Sequence, residues 1–243
     1  MIKNCKFCNK EFKTDRRIQQ SCSISCGKRS HAIKDPNPFD IMTKEEGAYL
    51  LGLIYADGCL SLESNGIDAR VTIALKDKDL IEALHPYFCP DRKLYKQTTH
   101  YNTMSYSIIN KNTEFIKELR KLGITERKSL TLTYPEIPQE LESNFIRGYF
   151  DGDGSVHIYK KVPRNYLGCS FTSGSEIFLK TLTSKIKNFI NIEFSYQTES
   201  RHSGDQIRLR RTNDIKVFAK WLYEKNNFFL KRKYQIFLDN NCL

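Results

Sequence analysis

The sequence predicts an α+β fold of two pseudo-symmetric halves, preceded by a small cysteine-rich module. Three observations carry that expectation. Two similar stretches, residues 50–58 (LLGLIYADG) and 146–154 (IRGYFDGDG), each read as an apolar helix running into an Asp-Gly step. The elements that follow each stretch recur in one order. Four of the eight cysteines fall within 22 residues near the start.

The first element, residues 1–34, holds Cys5-x2-Cys8 and Cys22-x3-Cys26. Tetrahedral zinc takes four thiolates in paired knuckles of this kind. A segment so short buries too little apolar surface to fold alone, so metal binding would supply most of its stability. Nine basic and two acidic residues give it seven of the chain's eleven net positive charges. That surplus suits phosphate contacts by Lys and Arg; the plainer alternative is a folding staple that touches no nucleic acid. Residues 35–42 follow as a linker, because Pro36 and Pro38 favour an extended path.

The first half is expected over 43–137. Thr43-x-x-Glu46 fits a capping box before the apolar run to Ala56. Alternation marks a strand at 70–75, and helical spacing marks 79–88. Segments 92–99 and 105–109 read as a hairpin around 100–103. A helix over 113–122 stops at Gly123, and 126–130 follows. The second half, 138–243, repeats this order: motif helix, strands at 156–160 and 169–172, a helix over 175–190, strands at 193–200 and 206–211 about a turn at 203–205, a helix at 214–223, then 230–234.

A carboxylate is unfavourable in the last turn of a helix, where unpaired carbonyls carry partial negative charge. Asp57 and Asp153 break that rule twice, 96 residues apart. Gly58 and Gly154 suit a left-handed helix stop. Gly52 with Ala56, and Gly148 with Gly152, place small residues on one helix face, so the two helices can pack backbone to backbone. That packing would join the carboxylates, and a shared divalent cation, Mg²⁺ or Mn²⁺, would relieve their repulsion. Exposed carbonyls of Ala56 and Gly152 would add ligands. Lys128 and Lys233, at matching points of the halves, would stabilise developing phosphate charge or tune a water; ordinary surface lysine is the competing reading. An EF-hand starting at Asp151 is excluded, because Val156 and Val162 stand where Gly and Glu are needed.

A net charge of +11 and a pI near 9.2 point to a polyanionic partner, most simply nucleic acid. Arg70, Lys96, Gln97, Gln197, Arg201, Arg208 and Arg210, on strands or near hairpin tips, are the candidate base and phosphate contacts. No apolar run reaches the roughly 18 residues of a membrane span. The start MIKNCKFCNK lacks the apolar core of a secretory signal. An intracellular, reducing compartment is therefore expected, whether a bacterial or phage-infected cytoplasm or an organelle, and disulfides are disfavoured there.

Both motif stretches resemble the LAGLIDADG motif, in the two-motif, single-chain arrangement of LAGLIDADG homing endonucleases. The resemblance spans about residues 43–238. It implies two αββαββ-type halves with central motif helices and antiparallel sheets forming a saddle over duplex DNA. It also implies site-specific double-strand hydrolysis with Mg²⁺, a monomer, and a gene carried in an intron or intein. The motif acids, here Asp57 and Asp153, are then metal ligands and catalytic, with Lys128 and Lys233 assisting. Two departures stand out: Tyr55 at the sixth motif position, and the cysteine module, which lies outside the shared core. The alternatives on the same scaffold are an intron RNA maturase, with host intron RNA as partner, and a DNA-binding regulator that does not cleave.

Overall fold

The structure, a computed structural model, describes all residues except 7, 31–33, 63–68, 99–101, 161–165, 199–203 and 225–227, and the side chains of 28–30 and 198. Two compact units result, Met1–Lys34 and Asp35–Leu243. In the first, strands β1 (Ile2–Asn4) and β2 (Glu11–Lys13) pair antiparallel, and helix α1 (Ile24–Ser30) follows.

The second unit opens with a departure from expectation. Residues 35–42 do not form an extended connector. Pro38–Ile41 make a helical turn, α2, with Pro38 in its first turn and the Asn37 side chain accepting from the Phe39 N–H. Asp35, Asn37 and Pro38 are buried. The Asp35 carboxylate accepts from Arg92 Nε at 2.7 Å and from the Lys111 N–H at 2.7 Å, which fastens the segment to the first half.

Helix α3 (Lys44–Asp57) begins with the full capping box: Thr43 and Glu46 each accept the other's backbone N–H. Strands β3 (Gly58–Leu62) and β4 (Ala69–Leu75), helix α4 (Lys78–Phe88), strands β5 (Tyr95–Thr98) and β6 (Met104–Asn110), and helix α5 (Thr113–Lys121) complete the first half. The second runs α6 (Glu142–Asp153), β7 (Gly154–Tyr159), β8 (Tyr166–Ser173), α7 (Glu176–Ile190), β9 (Ser195–Thr198), β10 (Asp205–Leu209), α8 (Thr212–Tyr223) and α9 (Lys231–Asp239). The sheet orders, β3-β4-β6-β5 and β7-β8-β10-β9, are the same, and every described pair is antiparallel. This is an α+β fold with a duplicated half.

Within the two halves, β3 and α9 went unforeseen. Strand β3 is five residues, too short for alternation to show. Helix α9 opens on Lys231, Arg232 and Lys233 with no acidic residue and no side-chain cap in its first turn, against the usual charge preference.

The two motif helices lie in backbone contact. A Cβ added at Gly52 would sit 2.0 Å from the Phe145 carbonyl oxygen, and one at Gly148 would sit 2.0 Å from the Tyr49 carbonyl oxygen. The contact is reciprocal, as a pseudo-twofold axis requires. Gly58 (φ −70°) and Gly154 (φ −79°) are extended, not left-handed. Their small size matters instead, because a Cβ would strike the Ile54 or Phe150 carbonyl where each chain turns into its strand.

The halves also grip each other at their ends. The segment after α5 reaches the start of α7, where the Ser175 hydroxyl donates to the Leu132 carbonyl at 2.6 Å. In the matching place, Arg232 at the start of α9 donates through Nε to Asp77 at 2.9 Å, just before α4. Burial is continuous through both halves, centred on Tyr49, Leu53, Phe145, Phe150, Phe171 and Phe178.

Candidate active site

Asp57 and Asp153 end the two packed helices, so the helix contact brings them together. The position of a Cβ on Gly152 lies 2.9 Å from Asp57 Oδ2, and only glycine leaves that carboxylate room there. Burial raises the Asp57 pKa, with Lys233, Lys128 and Arg232 opposing the rise and Asp77 adding to it. Asp153 is pushed up to about 6, first by burial and then by the charge of Asp57. Asp57 is exposed and Asp153 half-buried, and the two are near enough for the charge of one to raise the pKa of the other. Their all-oxygen chemistry fits a hard divalent ion such as Mg²⁺.

Lys128 and Lys233 are not surface lysines; they are only 8% and 3% exposed. Lys128 follows Arg127, whose left-handed backbone (φ 64°) turns the chain inward. Its Nζ donates to the Ala56 carbonyl at 3.0 Å, so that candidate ligand already holds a partner. Lys233 Nζ donates to three carbonyls of the α6 end: Phe150 (2.6 Å), Asp151 (2.7 Å) and Gly154 (2.6 Å). Both ammonium groups thus answer the exposed carbonyls that the aspartates aggravate. The pairing crosses over. Of the lysine charges acting on Asp153, Lys128 is the stronger, whereas Lys233 is the stronger on Asp57. Burial lowers the pKa of both lysines, that of Lys233 to about 8.

Three neighbours escaped the sequence reading. Tyr149 places its hydroxyl beside Asp153 and 3.1 Å from the Thr172 carbonyl. It stands four residues before Asp153 on the same helix face, a spacing that signals contact. Arg232 and Asp77, hydrogen-bonded to each other, both act on Asp57, and no local pattern announces them.

The sixth motif position divides the halves. The Tyr55 hydroxyl donates to the Leu122 carbonyl, while its ring packs on Phe145 and Phe178. Asp151 is buried, accepting from the Tyr49 hydroxyl and the Leu230 N–H, each at 2.8 Å. Arg147, also buried, donates to the carbonyls of Phe228 (3.0 Å) and Leu222 (2.9 Å) and to Asn144 Oδ1 (2.9 Å).

The candidate DNA contacts separate by strand face. In the first sheet, Arg70 pairs with Ser61 and Gln97 with Ser105, on the face opposite Val71 and Ile73. Lys96 pairs with Tyr106, itself opposite Leu75, and so shares the core-side face. In the second sheet, Gln206 and Arg208 share the face of Gln197. Gln206 Nε2 donates to Ser170 and Thr172, and Arg208 donates to Gln206. Arg210 is exposed one residue past β10, and Arg201 lies outside the described residues.

In the first unit, the sulfur atoms of Cys5, Cys8, Cys22 and Cys26 all lie within 4.8 Å of one another. Cys8 and Cys22 are 3.6 Å apart, and Cys22 and Cys26 are 3.5 Å apart. Tetrahedral zinc with bonds of about 2.3 Å spaces its sulfurs at roughly 3.8 Å, so the four thiols fit. The Cys22 N–H points to Cys5 Sγ at 3.3 Å, the kind of outer bond that steadies a thiolate. Hydrogen bonding with the Cys26 thiol, and then with those of Cys8 and Cys5, pushes the Cys22 thiol up to about 12.

A LAGLIDADG-like domain profile matches residues 140–220. Two proteins of Methanocaldococcus jannaschii are similar: a probable translation initiation factor IF-2, 29% identical over 204 residues, and the uncharacterized protein MJ0314, 26% identical over 197. The matches cover 79% and 77% of this chain; they span 16% of the initiation factor and 71% of MJ0314. The homing endonuclease I-WcaI bound to its DNA recognition sequence aligns over 78% of this chain and 84% of its own, with TM-score 0.56 and 16% identity. The N-terminal LAGLIDADG domain of DUF199/WhiA aligns over 82% and 92%, with TM-score 0.51 and 18% identity. Residues 140–220 thus carry a LAGLIDADG-like domain, and the chain has the LAGLIDADG fold.

Proposed function

We propose that this chain is a site-specific double-stranded DNA endonuclease that hydrolyses phosphodiester bonds with divalent metal. The observation that carries the reading is the meeting of Asp57 and Asp153 at the ends of two helices in backbone contact. A divalent cation at such carboxylates supplies an activated water and neutralises charge on the leaving oxygen. Asp57 and Asp153 would hold it, with the Gly152 carbonyl as a further donor. Ala56 offers the matching carbonyl on the first helix, shared with Lys128. The crossed lysines fix both helix ends and add positive charge where the phosphate gains negative charge. Arg70 and Gln97 on one sheet, and Gln197, Arg208 and Arg210 on the other, read base edges or grip phosphates. The four-cysteine module binds structural zinc and adds phosphate contacts.

The match within a much longer initiation factor, beside one spanning most of MJ0314, supports a mobile element carried in an intron or intein. The WhiA domain, described as LAGLIDADG and not as an endonuclease, supports a second reading: DNA binding without cleavage.

The deciding experiment incubates the protein with Mg²⁺ or Mn²⁺ and duplex DNA spanning the uninterrupted host locus. A unique double-strand cut is expected. Asp57→Asn or Asp153→Asn should slow it at least about 10³-fold, since metal-held charge stabilisation is worth several kcal/mol. Tight binding without any cut selects the second reading, and absence of binding overturns both.

A further inference from the structure

The cysteine module carries an apolar feature that metal binding does not use. Ile18 is 89% exposed and Ile24 is 82% exposed. Together they border a cleft of about 470 Å³ that Gln20, Ser21 and Ser23 also line.

The turn that presents Ile18 is held rigidly. Thr14 Oγ1 donates to Gln19 Oε1 at 2.7 Å and accepts from the Arg16 N–H at 3.1 Å. Gln19 Nε2 donates to the Ser21 carbonyl at 2.9 Å, and Lys3 Nζ donates to the Gln19 carbonyl at 3.1 Å. Ile18 and Ile24 meet at one cleft with a polar rim of Gln20, Ser21 and Ser23, and paired apolar exposure of that kind suits a partner surface.

Charge identifies the partner. Arg16 and Arg17, directly before Ile18, are exposed, and the module carries nine basic residues against two acidic ones. A polyanion fits that field. Guanidinium groups beside a protruding aliphatic wedge are the combination with which proteins enter the minor groove and part a base step. A thymine methyl in the major groove would need only lateral contact and no protruding tip.

We propose that the module inserts Ile18 into the minor groove of duplex DNA, with Ile24 as a second apolar contact, and unstacks a base step there. The inference rests on the reading that the chain binds duplex DNA.

The test uses the zinc-loaded full-length chain and an AT-rich 30-base-pair duplex carrying 2-aminopurine at its TA steps. Binding of the unaltered protein should raise 2-aminopurine fluorescence severalfold. Ile18→Ser should abolish that rise and weaken binding about tenfold, with an unchanged salt slope and one zinc still bound per chain. Ile24→Ser should do the same to a smaller degree. Equal affinity and fluorescence in all three proteins would overturn this inference and leave DNA binding standing. Weakened binding by the variants without any fluorescence rise in the unaltered protein would also overturn it, in favour of an unstrained groove contact. If the unaltered protein fails to bind the duplex even at low salt, the DNA-binding reading and this inference fall together.

Discussion

The two motif helices reach one geometry by different chemistry. Helix α3 is capped at its start and apolar around nearly its whole circumference, with Leu51 and Tyr55 at positions where α6 has Arg147 and Asp151. Helix α6 has no side-chain cap and buries that Arg and Asp in full. Its polar groups bond to later residues of the chain, as Arg147 reaches the Leu222 and Phe228 carbonyls and Asp151 the Leu230 N–H. The first helix is held mainly by packing, the second by packing plus a buried network around an ionisable pair. The lesson is that backbone contact at the glycines fixes the pair, while the positions around it can differ, Tyr55 packing on Phe145 and Asp151 accepting from the Tyr49 hydroxyl.

The largest effects test the shared contact. Gly52→Ala and Gly148→Ala each drive a methyl to 2.0 Å from a carbonyl oxygen of the other helix. Each should cost upwards of about 3 kcal/mol, beyond ordinary overpacking, because backbone cannot step aside. Chemical denaturation measures this, and a small loss in one variant alone would break the symmetry of the contact.

Next comes the contrast itself. Arg147→Met strands two buried carbonyls and should cost about 3 kcal/mol, whereas Leu51→Met, at the matching position, should cost under about 1.5 kcal/mol. Equal losses would mean the network adds nothing. A similar but smaller contrast separates the lysines. Lys233→Met loses three carbonyl bonds and should cost about 3 kcal/mol; Lys128→Met loses one and should cost about 1 kcal/mol. Melting curves without metal keep these values apart from any effect on cleavage.

The last contrast is a pH dependence. Asp151 and Asp153 both titrate near 6 in the folded chain, against an ordinary 3.8, chiefly because burial disfavours their charge. A raised folded value gives stabilisation that is full below about 3.8 and is lost as pH rises through about 6. The metal-free melting temperature should therefore fall from pH 4 to pH 7 more steeply in the unaltered protein than in Asp153→Asn. A divalent cation competes with the same proton, so the melting increment from added Ca²⁺ should shrink below pH 6. An increment independent of pH would place the cation elsewhere.

Much of the site is legible in the sequence because its signals are local. The misplaced carboxylates, the small residues four apart and the capping box each depend on a few neighbouring residues. Lys128 and Lys233 emerge from the repeated order, but their burial does not, since it depends on turns such as that at Arg127. Lys96 and Gln97 carry the same signal in sequence, and strand pairing puts them on opposite faces.

The sequence by itself determined the duplicated α+β plan, the cysteine quartet and the two helices that end in carboxylates, because periodicity and spacing record local geometry. Only tertiary structure decided that, of the two motif aspartates, each lysine acts more strongly on the one in the opposite half, and that Asp77 and Arg232 act on Asp57. The physical reason is distance along the chain. Most of these contacts join residues far apart in sequence, and close packing alone sets which of them meet.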